Sequence, residues 1–131
     1  MSASSSADWS CIFVHAGAGY HSQANEAQHL QACAMLVRSL LVEGTPADYF
    51  SRACKAAMAV LRNGGSAADG VEMALRSLED NEITNSGFGS NLSLDGTVEC
   101  DASIMEESGR SGAVGAVDSM PHPSRSAALC F

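Results

Sequence analysis

Along the chain, apolar positions recur first with helical spacing and later by alternation. Residues 11–15, running from Cys11 to His15, are a short apolar run ending in glycines, which predicts a buried strand feeding a tight turn. Over 24–43, Leu30, Cys33, Ala34, Val37 and Leu41 fall at offsets of three, four, seven and eleven, one face of a helix that Gly44 stops. Thr45-Pro46-Ala47-Asp48 then offers a capping hydroxyl, a proline in the first turn and a carboxylate three residues after the cap. The helix it starts carries a stripe of Cys54, Ala57, Met58 and Leu61 and ends at Asn63-Gly64-Gly65. Ser66, with Asp69 three residues on, opens a further helix striped by Val71, Ala74, Leu75 and Leu78.

Beyond Glu79 the period changes. Asn85-Ser86-Gly87-Phe88-Gly89-Ser90 is a loop of backbone-permissive residues, after which Leu92 and Leu94 lead into Asp95-Gly96, a favoured hairpin turn. Val98, Cys100, Ala102 and Ile104 then alternate with Thr97, Glu99, Asp101 and Ser103, predicting a strand with one buried face. Residues 112–117 predict another strand before Pro121 and Pro123, and 123–131 read as the first turns of a helix too short to bury a face. Strand, helices, strands, without internal repeat or linker, predict one α/β or α+β unit over 11–131 behind a polar, disordered start at 1–10.

Composition narrows what such a unit does. The 131 residues are 46% hydrophobic, enough for a core, and carry a formal charge of -8, which disfavours nucleic acid as a ligand. The start lacks the basic and apolar stretches of a secretory signal, and Arg38 interrupts the most apolar segment, so the expectation is a soluble intracellular chain with no membrane partner. Five cysteines, Cys11, Cys33, Cys54, Cys100 and Cys130, without a CxxC pair, read as buried thiols rather than disulfides or metal ligands.

Gly17-Ala18-Gly19-Tyr20-His21-Ser22 departs from a dinucleotide fingerprint at its third glycine, and a helical region replaces the acidic strand end such a site requires. His15, His21, His29 and Cys33 make a weak zinc set, because turn and strand-end histidines are more often neutral and hydrogen-bonded. Glu99 and Asp101 share a strand face and could do acid–base work, though a solvated face is the simpler reading. Two glycine-dense loops remain, at 17–19 and 87–89, as candidates for substrate or oxyanion contacts.

Read together, FVHAGAGYHS, ALRSLEDNEITNSGFGSNLSLDGTVECDASIM and GAVGAV resemble the plant-type asparaginase family. Tyr20-His21-Ser22 and Gly89-Ser90-Asn91-Leu92 resemble most its peptidase branch, threonine aspartase or taspase. The likeness covers 13–22 and about 51–117. It implies an N-terminal-nucleophile hydrolase fold, an αββα sandwich incomplete in this chain, formed from a precursor that cuts itself into α and β subunits. A threonine freed by that cut attacks the substrate carbonyl while its own α-amine takes the proton. In the taspase branch the implied reaction is endoproteolysis after aspartate; in the asparaginase branch it is hydrolysis of asparagine or isoaspartyl dipeptides.

The resemblance also implies roles for particular residues. Gly17 and Gly19 would pack beside the nucleophile and substrate, Asn85 would orient the nucleophile's hydroxyl or amine, and Asp101 would be a hydrogen-bonding residue beside the substrate site. Main-chain carbonyls of Leu78, Glu79, Asn81, Thr84, Ser86 and Phe88 correspond to a loop that holds a structural sodium ion in relatives; no other cofactor is implied. Residues 30–49 look like an insertion. Neither Thr84 nor Thr97 starts a Val-Gly-type strand, so the nucleophilic threonine is expected outside this chain, which alone is expected to be inactive. Three readings follow: the N-terminal part of a threonine hydrolase that completes an (αβ)2 assembly with a missing β subunit, a noncatalytic isoform binding a full-length partner, or a nucleotide-binding module. Nucleus and cytoplasm are both compatible, and an isolated fragment should expose apolar surface.

Overall fold

The computed structural model describes residues 10–15, 23 and 48–130. Its elements are helix α1 (Asp48–Arg62), helix α2 (Ala67–Glu79), a 3-10 turn at Gly87–Gly89, strands β1 (Glu99–Met105) and β2 (Ser111–Asp118), and helix α3 (Pro123–Ala128). The helix expected over 24–43, the Thr45 cap and the Gly17/Gly19 turn lie outside the described residues.

The two long helices pack on alanines. Ala53, Ala57 and Ala74 form their buried centre, with Leu78 and Ile12 partly buried against it. Such small side chains let two helix backbones approach closely, and larger residues seal the rim. The turn between the helices is set by chemistry visible in the sequence. Gly64 adopts φ +83°, and the Gly65 N–H donates to the Val60 carbonyl at 3.0 Å while Gly64 N–H donates to Leu61 at 3.1 Å, a Schellman ending. One residue later the expected capping box closes. The Asp69 N–H donates to Ser66 Oγ at 3.1 Å, and the Asp69 carboxylate accepts from the Ser66 N–H at 2.8 Å and hydroxyl at 2.7 Å. Those bonds from the Ser66 hydroxyl and then its backbone N–H hold the Asp69 carboxyl below its ordinary value.

Among the described residues there is one sheet, the antiparallel pair β1–β2. Cys100 and Ile104 point inward on β1 while Glu99, Asp101, Ser103 and Met105 face out, as the alternation predicts. Cys100 pairs with Val117 but Ala102 with Val114, so Gly115 and Ala116 oppose Asp101 alone. That is a β-bulge. Ala116 sits at φ 50°, unusual for a residue with a Cβ, and its N–H donates to Asp101 Oδ1 at 2.8 Å.

Four expectations need correction. A turn does form at Asp95-Gly96, closed by Ser93 N–H to the Thr97 carbonyl at 2.8 Å, but Leu92 and Leu94 are exposed and outside any strand. The β1 hairpin closes instead at 106–110, where Gly109 takes φ +83° and the Glu106 N–H donates to the Arg110 carbonyl at 2.9 Å. The β1 edge thus pairs with the later segment, which supplies a longer ladder. Second, 11–15 makes no ladder among the described residues; Ile12 alone of its hydrophobics reaches the helical core, and Phe13 is exposed. A strand without a neighbouring backbone has nothing to pair its N–H and C=O groups with.

Third, α3 does bury a face. Pro123, Ser124 and Ala127 are buried, because small residues let the helix lie on β2 where a Cβ at Gly112 would strike the Ala127 carbonyl. Fourth, the thiols divide. Cys100 is buried and Cys54 half-buried, its thiol pushed up by burial, but Cys11 and Cys130 are exposed, since neither 11–15 nor the turn after α3 is covered. Cys33 lies outside the described residues. Among the described residues no helix is long and apolar enough to cross a membrane.

Candidate functional site

The loop from α2 to the 93–97 turn is built backbone against backbone. Helix α2 stops at Asp80, whose N–H still reaches the carbonyls of Arg76 and Leu78. Buried Asn81 then turns the chain, its Oδ1 accepting from the Ile83 N–H at 2.9 Å. The Thr84 hydroxyl donates to the Leu78 carbonyl at 2.6 Å and lies 3.1 Å and 3.5 Å from the carbonyl oxygens of Asn81 and Ser86. One side-chain oxygen is thereby ringed by three main-chain oxygens.

The glycines of this loop are needed for space. A Cβ on Gly89 would run into the carbonyl oxygens of Thr84, Glu82 and Asn81, and one on Gly87 would lie 2.5 Å from those of Glu79 and Pro121. Two side-chain bonds fasten what remains. Asn85 Oδ1 accepts from the Asn91 N–H at 2.8 Å, clipping the loop across its mouth, and Ser90 Oγ sits 3.1 Å from the buried Cys100 Sγ on β1. Asn85 therefore has its amide oxygen fixed while the side chain stays exposed, and its Nδ2 has no partner among the described residues. Phe88, at the loop tip, is 75% exposed.

Glu79 escaped the sequence reading as a side chain. It is 4% exposed, and its carboxylate accepts from the Ser124 N–H at 3.1 Å and hydroxyl at 2.9 Å, with His122 Nδ1 at 3.5 Å. It caps α3, whose own N-cap residue, His122, makes no side-chain capping bond. The signal was an uncapped helix start at Pro123; the acceptor comes from 45 residues upstream, which no local pattern reveals. Through this contact the end of α2, the glycine loop and α3 become one packed unit.

The structure separates the remaining candidates. Asp101 and Glu99 share the exposed face of β1, Asp101 with its carboxylate bonded to the bulge N–H and Glu99 opposite Asp118 in register. Gly17 and Gly19 lie outside the described residues, as do His21, His29 and Cys33; His15 is exposed. No group of three or more His, Cys, Asp or Glu side chains is placed to hold a metal ion among the described residues. What the site presents is a braced loop with an exposed amide, near converging carbonyls.

A family profile described as asparaginase matches residues 10–131. The chain belongs to the asparaginase family. Asparaginase-family hydrolases are of the N-terminal-nucleophile type, and the helices and small antiparallel sheet seen here are consistent with part of their α/β fold. The chain is 48% identical over 79 residues to the isoaspartyl peptidase/L-asparaginase of Macaca fascicularis, covering 60% of this chain and 26% of that protein. It is 35% identical over 119 residues to the Mus musculus protein of the same name, covering 90% of this chain and 32% of that one. A plant-type L-asparaginase of Thermococcus kodakarensis is 63% identical over 41 residues, 31% of this chain and 13% of its own. The chain thus spans a third or less of the asparaginase-family relatives it matches.

Proposed function

We propose that this chain supplies the N-terminal scaffold of a threonine-type amide hydrolase, with the nucleophile carried by polypeptide outside it. The observation that supports this most is the braced loop, in which Asn85 keeps its Oδ1 on the Asn91 N–H and its Nδ2 available. A threonine at the start of a β subunit would attack the substrate carbonyl, its α-amine taking the hydroxyl proton. The scissile C–N bond would then break, the amine leaving with the proton held by the α-amine, and water would hydrolyse the resulting ester to release the acid and restore the threonine. Asn85 Nδ2 would donate to that hydroxyl or amine and hold it in line, and Gly17 and Gly19 would leave room for substrate.

For substrate class, we infer endoproteolysis after aspartate, the taspase reaction, from Tyr20-His21-Ser22 and Gly89-Ser90-Asn91-Leu92. A second reading, isoaspartyl peptidase or asparaginase, is supported by what the Macaca fascicularis and Mus musculus relatives are named for. The complete assembly would be an (αβ)2 oligomer acting in the nucleus or cytoplasm. The carbonyls of Leu78, Asn81 and Ser86, gathered around the Thr84 hydroxyl, are hard, uncharged oxygen donors that suit a sodium ion, with Glu79, Thr84 and Phe88 as further carbonyls of the same loop. Bound there, sodium would supply stiffness to the loop rather than chemistry.

The test is the longest natural polypeptide that contains this chain, assayed on a β-aspartyl dipeptide, on L-asparagine and on a peptide with one internal aspartate. Cleavage of the internal aspartyl peptide alone carries the first substrate reading, and hydrolysis of the other two carries the second. Asn85→Ala should lower kcat about a hundredfold with little change in KM, the size seen when one preorganised donor is removed. An unchanged kcat would remove Asn85 from the site.

A further inference from the structure

A concave site lined by residues of α1 and α2 has no part in the proposed reaction. Tyr49, Arg52 and Ala56 of α1 and Met73, Arg76 and Ser77 of α2 line a cavity of about 320 Å³, together with Asp80 and Asn81. Two guanidiniums share this cavity in a chain with 7 basic residues against 15 acidic ones. Neither forms an ion pair among the described residues.

Arg76 is the more informative of the two. Its Nε is sealed from solvent and has no hydrogen-bond partner among the described residues. A buried donor without an acceptor is costly, and native structures rarely keep one unless something fills the gap. The local partner would be Asp80, four residues on along the same helix face. That carboxylate is diverted: Asp80 Oδ1 lies 3.5 Å from His122 Nε2, drawn toward α3 beside Glu79. Arg76 thus lines the cavity with no carboxylate partner among the described residues, and Arg52, Tyr49 and Ser77 line the same cavity.

We propose that this cavity is a carboxylate-binding site. A guanidinium fork matches the planar, two-oxygen acceptor of a carboxylate, a second arginine balances the charge of a dicarboxylate, and hydroxyls donate to the remaining lone pairs. The wall of Ala56 and Met73 favours a short apolar spacer between the acid groups. The ligand class is a small dicarboxylate or the acidic side chain of a peptide.

The test needs no catalytic activity. The full 131-residue chain is treated with phenylglyoxal, and modification of each arginine is mapped by mass spectrometry in the presence of succinate, a capped tetra-aspartyl peptide, or inorganic phosphate at matched ionic strength. Both carboxylate probes should slow labelling of Arg52 and Arg76 at least tenfold relative to Arg62 and Arg125, which lie outside the cavity; phosphate should not. Protection at lower concentration by succinate assigns the site to a free dicarboxylate, and by the peptide to an acidic segment. Arg76→Gln should reduce the protection of Arg52 about tenfold, the loss expected for one charge-assisted bond. Equal protection of all four arginines, protection of none, or equal protection by phosphate would each overturn the proposal.

Discussion

Two glycine turns in this chain, the loop at 81–90 and the hairpin turn at 106–110, look alike as sequence and differ as structure. Gly109 adopts φ +83° with nothing within 4 Å of where a Cβ would stand; it is there for its backbone angle. Gly89 lies outside the left-handed region but has three carbonyl oxygens where a Cβ would go; it is there for space. A turn that only reverses the chain is open on its outer side. One that packs its own backbone inward and presents an amide outward is built as a platform, and such loops, held by rigid elements, are where functional groups collect.

The contrast can be broken by substitution. Gly89→Ala should be the most damaging, costing about 3 kcal/mol because a carbonyl cage cannot yield as a side chain can. Urea unfolding followed by circular dichroism would measure it, and a cost near that of Gly109→Ala, about 1 kcal/mol, would erase the distinction drawn here. Glu79→Ala should follow at about 2 kcal/mol, since it strands the Ser124 N–H and hydroxyl in a buried position. Hydrogen exchange should then rise in α3 and the glycine loop together; a rise in α3 alone would show that they are not one unit.

Ser66→Ala should cost about 1 kcal/mol, the usual loss for a cap. The same cap carries a pH signature. The Asp69 carboxyl is held below its ordinary value of 3.8, so the unfolded chain takes up the proton first as acid is added. Its contribution is fully present above pH 3.8 and is lost as pH falls through the lower folded value; in Ser66→Ala that acid-dependent component should shrink. Least of all, Gly109→Asn should change stability by only a few tenths of a kcal/mol, because asparagine tolerates the left-handed region.

How much of this was legible in the sequence depended on how far each interaction reaches along the chain. The Schellman ending at Gly64-Gly65 and the Ser66–Asp69 box join residues three to five apart and were readable directly. The inward face of β1 was equally plain from the alternation of Cys100, Ala102 and Ile104. The partner of β1 was not, because Asp95-Gly96 and the turn at Gly109 are both competent turns and the choice between them is made by the ladder that each can close.

At the site, Asn85 and the glycine loop stood out by composition, but the clip to the Asn91 N–H and the support from Glu79 did not. The first ends on a backbone N–H, which no side-chain pattern signals. The second joins residues 45 apart and requires α3 to be docked before it has meaning. Asp101 was visible as a motif residue, yet its bond to Ala116 depends on a bulge, and a one-residue change of register leaves no trace in a period-two pattern.

The central claim is that the braced loop is one part of a catalytic centre whose reactive hydroxyl comes from another polypeptide. It is tested most directly by hydrolysis of a β-aspartyl dipeptide and an internal aspartyl peptide by the 131-residue chain, with and without a β subunit of the asparaginase family supplied in trans. The account predicts no turnover above buffer from the chain by itself and measurable turnover once the second polypeptide is present. Turnover by the chain alone would contradict it.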